Sequence, residues 1–262
     1  MTTGAVPRTA VVTGASKGIG RAIAEELAAK GYRLVLVARS DDLLRGIVDD
    51  LTARFGAEVH AQAADLTNPD RIDDVIDAAT SATGRLDLLV NCAGATKSGD
   101  FFALTREDFH EGFALKFHAA VDLTRAAWPA LVASGKGHVV NIIGFRARTP
   151  SADYTIGGPT NSALANFTKA MAERGVRDGV RVNAVHPGPI ETDRIRGIID
   201  EYAARTETTV ENARSAVLGT FAVPRFGRPG EIAAAVLFLD SDGASYINGA
   251  ILDIDGGATK GL

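Results

Sequence analysis

Short apolar runs alternate along this chain with longer stretches in which apolar residues recur every three or four positions. The first run, Thr9-Ala10-Val11-Val12, closes on Thr13-Gly14; behind it Ile23 and Leu27 lie one helical turn apart, and Gly31 stops that pattern. Leu34-Val35-Leu36-Val37 is the unbroken core of a strand over 33–38, the composition of a strand covered on both faces. Leu44, Ile47, Val48, Leu51 and Phe55 then mark one face of a helix over 41–55, with Gly56 as its stop. A strand over 59–63, a helix over 69–83 and a strand over 86–91 follow. Thr105 with Asp108 caps a long helix running toward Trp128-Pro129. Further on come a strand over 138–143, a helix around 162–172, a strand over 180–185, a helix from Pro229 to near Leu239 and a last strand over 250–253.

Seven strands alternating with helices predict an α/β fold: a doubly wound, Rossmann-type parallel sheet with right-handed crossovers and helices on both faces. No linker or composition break divides the chain, so 1–262 reads as a single domain. The least regular stretch, 191–226, is polar and helical only in patches. It is expected to overhang the carboxyl edge of the sheet as a substrate loop or lid.

Composition narrows the classes. Of 262 residues 46% are hydrophobic and 23% charged, as in a folded globular chain. The net charge is −4 and no lysine or arginine stripe runs along it, which argues against a nucleic-acid partner. The single cysteine, Cys92, permits neither an internal disulfide nor a zinc cluster, so no metal is expected and a reducing cytoplasm is. Nothing approaches the roughly 18 uninterrupted apolar residues of a spanning helix, and Met1 to Arg8 has no apolar signal core. A cytoplasmic protein without a membrane partner is the expectation.

The turn Thr13-Gly14-Ala15-Ser16-Lys17-Gly18-Ile19-Gly20 joins the first strand to the first helix. Glycines there let backbone N–H groups and a helix N-terminus approach a pyrophosphate. Together with Asp65-Leu66, Asn91-Cys92-Ala93-Gly94, Arg181-Val182-Asn183-Ala184-Val185, Pro187-Gly188, Thr192 and Asp255-Gly256-Gly257, it resembles the short-chain dehydrogenase/reductase family along nearly the whole chain. The resemblance implies a dinucleotide crevice. Gly14, Ser16, Lys17, Gly18, Ile19 and Gly20 would hold the pyrophosphate, and Asp65 and Leu66 would border the adenine. Asn91, Ala93 and Gly94 would back the adenosine ribose and stabilise the sheet, while Pro187, Gly188, Ile190 and Thr192 would hold the nicotinamide. The resemblance also implies a small-molecule substrate and a homo-oligomer, a tetramer built through the long helices and the last strand.

Charge separates the two dinucleotides. A carboxylate some twenty residues past the glycines would bind the ribose 2′-hydroxyl of NAD(H); here Ala38 ends the strand and Arg39 follows. Arg39 and Lys17 both favour a 2′-phosphate, so NADP(H) is expected over NAD(H).

The family's proton machinery is a serine, a tyrosine thirteen residues on and a lysine four beyond that. Those positions carry Gly144, Gly157 and Asn161, and the family's asparagine in the long helix is Lys116. Lysine and asparagine have traded places. Lys116 interrupts the stripe Phe109, Phe113, Ala120, Leu123, Ala127, and a cation there needs water, a carboxylate or a ligand. Tyr154, three residues before Gly157, is the candidate acid, with Lys116 stabilising its phenolate and Asn161 as third candidate. Gly157-Gly158-Pro159 is expected to break or delay the helix there. Arg146, Arg148, Arg194 and Arg196 read either as solvated loop cations or as the mouth of a site for a carboxylate- or phosphate-bearing substrate; His60, His118, His138 and His186 rank below Lys116. The expected function is an NADP(H)-dependent oxidoreductase acting on a small carbonyl or alcohol through an altered relay. The alternatives are a catalytically inactive NADP-binding regulatory or structural subunit and, more remotely, elimination or epimerisation in the same crevice.

Overall fold

The computed structural model describes residues 6–260; the reading of Met1 to Arg8 falls in part on residues 1–5, outside that range. Seven strands form one parallel sheet in the order β3-β2-β1-β4-β5-β6-β7. They are β1 (Thr9–Thr13), β2 (Arg33–Ala38), β3 (Val59–Ala63), β4 (Leu88–Asn91), β5 (His138–Ile142), β6 (Arg181–Pro187) and β7 (Ile251–Ile254). Every residue of β1, β4 and β5 is buried, because helices cover both faces.

The period of two inside these apolar runs sends alternate residues to opposite layers. Ala10 and Val12 join Leu34, Leu36 and Val90 against α1 (Gly18–Ala29), α2 (Asp41–Phe55) and α9 (Pro229–Asp240). Val11, Val35, Val37 and Val139 face the other way, against α3 (Ile72–Thr83), α5 (Ala119–Ser134) and α6 (Gly157–Asp178). Leu27, Leu36, Leu123 and Leu131 are among the largest fully buried side chains; truncating any one of them to alanine costs about 2–5 kcal/mol. The strand order reverses at β1 and β4, and a crevice opens there outside their carboxyl ends.

Three expectations need correction. The long helix does not stop at Pro129. It begins as α4 (Arg106–Phe113), passes through a π turn at Ala114–His118 and continues as α5 to Ser134. Burial of Ala127 and Leu131 and a bond from Trp128 Nε1 to Asp178 (2.8 Å) hold the helix across the proline, and Gly135, with φ 72°, ends it. The π turn also breaks the simple stripe drawn through Lys116 by inserting an extra residue into the register.

The second correction concerns α6, which starts at Gly157 rather than near Ser162. Pro159 falls in its first turn, where an N–H has no intrahelical acceptor anyway. The residue before it, Gly158, lacks the Cβ that clashes with a proline ring. The third concerns 191–226, which folds into α7 (Asp193–Arg205) and α8 (Val210–Gly219) with a small core of its own: Ile195, Ile199, Ala213, Val217 and Phe226. It is a helical pair over the carboxyl edge, not an irregular loop.

Candidate active site and cofactor crevice

Thr13 ends β1 by organising the crevice floor. Its hydroxyl donates to Val90 O (3.3 Å) and accepts from the backbone N–H of Cys92 (2.9 Å) and Ala93 (3.0 Å), tying the turn after β4 to the turn after β1. The two turns touch so closely that a Cβ on Gly14 would stand 3.0 Å from the Ala93 backbone. Gly14 and Gly18 have φ of 66° and 57°, a conformation that side chains disfavour. No side chain caps the start of α1 at Lys17, so its first N–H groups are left to a ligand. The side chains of Ser16 and Ile19 are half-buried beside that opening, and Gly20 is pressed against the Gly14 backbone. A Cβ at Gly18 would lie 3.3 Å from Thr192, which places the helix start opposite the entrance to α7.

Beyond the end of β2, Arg39 and Lys17 make no ion pair with an acid among the described residues, and the strand ends on Ala38 rather than on a carboxylate. Asp65 accepts from the Thr67 N–H (3.0 Å) and hydroxyl (2.8 Å); these bonds, and then the charge of Arg39, hold its carboxyl below the usual range. Leu66 is buried beside it. Asn91 points inward: its amide donates to Thr124 (3.3 Å) and Asn141 (2.9 Å), so its side chain fastens β4 to β5 and α5. A Cβ at Gly188, after Pro187, would stand only 2.6 Å from the Asp255 Cα, and Ile190 is buried and bridges to Gly227. The dinucleotide's charge and shape fit this crevice. Uncapped N–H groups and two free cations would suit its phosphates, and the glycines would leave room for its close approach.

Toward the centre, Lys116 lies over Gly94, with Cγ, Cδ and Nζ each 3.3 Å from where a Cβ would stand. Its ammonium donates to Ile143 O at 2.8 Å. That carbonyl is free for a reason written in the sequence. Ile143 N–H donates to Val185 O, and the parallel ladder would return a bond from residue 187, which is a proline without an N–H. Burial pulls the Lys116 ammonium below the ordinary lysine value, with Arg194 adding to the effect and Tyr154 and Cys92 opposing it. Burial pushes the Cys92 thiol up to about 12, against the pull of Lys116, so it is no nucleophile.

Tyr154 fills the slot beside Gly157: its Cζ stands 2.5 Å from a Cβ built at that glycine, with Thr96 Oγ1 at 2.6 Å. The phenol oxygen accepts from Thr96 Oγ1 (3.3 Å) and from Arg194 Nη2 (3.2 Å). Burial pushes the phenol up, but Arg194, the Thr96 hydroxyl and Lys116 together pull harder and bring it below the ordinary tyrosine value. Asn161 is buried against Gly144, Nδ2 standing 3.0 Å from a Cβ position there, and its Oδ1 has no hydrogen-bond partner. The crevice thus brings Lys116 near the Tyr154 phenol, while Asn161 packs against Gly144. His186 is tied to Asp253 (3.1 Å), His138 is buried on Asp240 (3.0 Å), and His118 is exposed. Sequence reasoning missed Thr96, which belongs to no motif, and gave Arg194 too little weight, because only the fold of α7 brings it to the phenol.

A doubly wound sheet with a glycine-rich turn at its switch point and an Asn-x-Ala-Gly turn beside it defines a dinucleotide-binding oxidoreductase fold. The chain belongs to the short-chain dehydrogenase/reductase family: the family model described as enoyl-(acyl carrier protein) reductase matches residues 14–259. Among its relatives, the 3-oxoacyl-(acyl-carrier-protein) reductase FabG of Vibrio cholerae is 34% identical over 253 residues, covering 95% of this chain and 96% of that one. The NADPH-dependent reductase BacG of Bacillus subtilis is 30% identical, covering 97% and 99%. The L-sorbose reductase of Gluconobacter frateurii, solved with NADPH and L-sorbose, superposes with a TM-score of 0.94 at 33% identity over the full length of both chains.

Among the described residues, no helix is long and apolar enough to cross a membrane, and no group of three or more His, Cys, Asp or Glu could hold a metal ion.

Proposed function

We propose that this protein is an NADP(H)-dependent oxidoreductase that interconverts a small carbonyl compound and its alcohol, with Tyr154 as acid and base and Lys116 as its supporting cation. BacG is named as NADPH-dependent and the L-sorbose reductase was solved with NADPH, and the free Arg39 and Lys17 beside Ala38 support the same cofactor here. The observation that carries the reading is the Tyr154 ring standing in the slot at Gly157, on the same crevice as the Lys116 ammonium.

The cofactor, when bound, supplies or accepts a hydride at the carbonyl carbon. The chain's own task is the proton at the oxygen. In reduction Tyr154 gives its phenolic proton to that oxygen. The phenolate left behind is stabilised by the Arg194 guanidinium, the Thr96 hydroxyl and the field of Lys116. Lys116 is held in place by Ile143 O, and Asn161, at the family's lysine position, offers its free Oδ1 as an acceptor. On this reading the chain is an atypical family member, with Gly144, Gly157 and Asn161 where the serine, tyrosine and lysine stand.

The test is NADPH oxidation by the purified protein over a panel of small carbonyls, with Tyr154→Phe and Lys116→Ala beside the wild type. Each variant is expected to lower kcat with NADPH affinity unchanged. NADPH binding without turnover of any carbonyl favours the non-catalytic subunit instead. We read the chain further as a homo-oligomer, because Phe238 on α9 and Tyr246 before β7 are exposed; light scattering at a monomer mass would contradict this.

A further inference from the structure

Arg194 occupies an unusual electrostatic position. It stands at the second residue of α7, exposed on the substrate side, and its Nη2 donates to the Tyr154 phenol (3.2 Å) and to Thr96 O (3.3 Å). Nε and Nη1 make no hydrogen bond among the described residues. The acids nearest it in sequence are committed elsewhere. Glu191 pairs with Arg214 (2.8 Å) and Asp193 with Arg196. Across the mouth, Asp108 is taken by Lys97 (3.0 Å) and Asp153 by the Ser151 hydroxyl; Arg146 stacks on Phe145 and Phe221. Lys116, the other cation of the site, is also without a carboxylate. Tyr154, neutral in its acid form, therefore lies near two cations that no acid among the described residues balances.

We infer that Arg194 selects substrates carrying a carboxylate close to the reacting carbonyl, so that the natural substrate is a short 2- or 3-keto acid or the matching hydroxy acid. The inference rests on the reductase reading and names its substrate class. The planar guanidinium suits a carboxylate geometrically, and its free N–H groups point the same way chemically. Proximity sets the chain length: a guanidinium within hydrogen-bond distance of the phenol oxygen can reach an acid group only a few bonds from the carbonyl that receives the phenol's proton. Because Arg194 also touches the phenol, it acts on the base and on the substrate, and a test must separate the two.

Matched pairs do so. The kcat/KM with NADPH is measured for pyruvate against methyl pyruvate and for acetoacetate against methyl acetoacetate, in wild type, Arg194→Gln and Arg194→Lys. Any effect of the variant on Tyr154 falls on both members of a pair and cancels in the acid-to-ester ratio. The expected result is a ratio about tenfold or more lower in Arg194→Gln than in wild type, the scale of one charge-assisted contact, carried by KM, with Arg194→Lys between. Arg205→Gln, at the far end of α7, should leave the ratio as it is. A ratio unchanged in Arg194→Gln while the esters turn over overturns the inference and leaves the reductase reading intact. If nothing turns over, calorimetric binding of the same acids and esters to NADP⁺-loaded protein decides. Acid-selective binding lost in Arg194→Gln upholds the carboxylate site and ends the reductase reading, whereas no selective binding ends both.

Discussion

Tyr154 and a side chain at Gly157 cannot share the space they both reach: the ring carbon Cζ lies 2.5 Å from the Cβ position of residue 157, below any ordinary contact. Gly144 and Asn161 are related in the same way at 3.0 Å, with Gly144 at a φ of 141° that disfavours any side chain. On the proposed reading these glycines stand at the family's tyrosine and serine positions, and they leave room for Tyr154 and Asn161.

Restoring the family residue alone should fail. Gly157→Tyr is expected to lose about 1–3 kcal/mol of stability from overpacking, read as a lower urea midpoint, and to lower turnover. Removing the obstacle in Tyr154→Ala/Gly157→Tyr should recover most of that stability. A single variant as stable as wild type would contradict the shared slot.

The Lys116 bond to Ile143 O makes a second prediction. With Pro187 unable to donate, Lys116→Met leaves that carbonyl without a partner, at a cost of about 1–3 kcal/mol. Urea unfolding measures this loss, and kcat falls with it.

Cofactor preference should turn on one residue. Arg39→Glu places a carboxylate near the 2′ position and removes the fork, and is expected to weaken NADPH binding about tenfold or more while NADH binding holds or improves. Fluorescence titration with the two dinucleotides reads the ratio; an unchanged ratio would remove Arg39 from the site.

The acidic limb of the pH profile for alcohol oxidation, where the phenolate base is lost by protonation, should report the Tyr154 phenol below the ordinary tyrosine value. Burial alone would raise it, so Arg194, the Thr96 hydroxyl and Lys116 together produce the fall, Arg194 first. Arg194→Gln should move that limb to higher pH. A limb that stays in place would assign it to another group.

Stability should also depend on pH, through two buried histidines of β5 and β6. Burial pulls His138 below the ordinary histidine value, with the Asp240 bond opposing, and burial likewise lowers His186. Each is neutral in the folded chain and takes up a proton on unfolding. Their contribution is complete above the unfolded value of about 6.5 and shrinks as the pH falls through it toward the lower folded value. The urea midpoint should drop between neutral pH and about pH 5.5, with a shallower slope in His138→Asn.

Much of the architecture is legible in the sequence because buried parallel strands advertise themselves as unbroken apolar runs, and because glycines at βα turns mark where a backbone must come close to phosphate. Arg33–Ala38 and the Gly14 turn are of this kind. What stays hidden depends on three-dimensional relief. Pro129 reads as a stop because local propensity disfavours it, but Trp128 and Leu131 are anchored by partners far along the chain. Pro159 reads as a break until its place in the first turn is known. The apolar pairs of α7 and α8 are short and diluted by charge, so neither signals a helix alone; only together do they enclose Ile199 and Val217. In the site, Lys116 and Tyr154 stand out in the sequence because they flank positions that read as departures from a family pattern, whereas Thr96 and Arg194 reach the phenol only through the fold.

The central claim, that Tyr154 moves the proton, is tested most directly by single-turnover NADPH oxidation with a carbonyl substrate of the wild-type protein in Tyr154→Phe and wild type side by side. The account predicts a rate lower by about a hundred- to ten-thousand-fold in the variant, with NADPH affinity the same in both proteins; equal rates would contradict it.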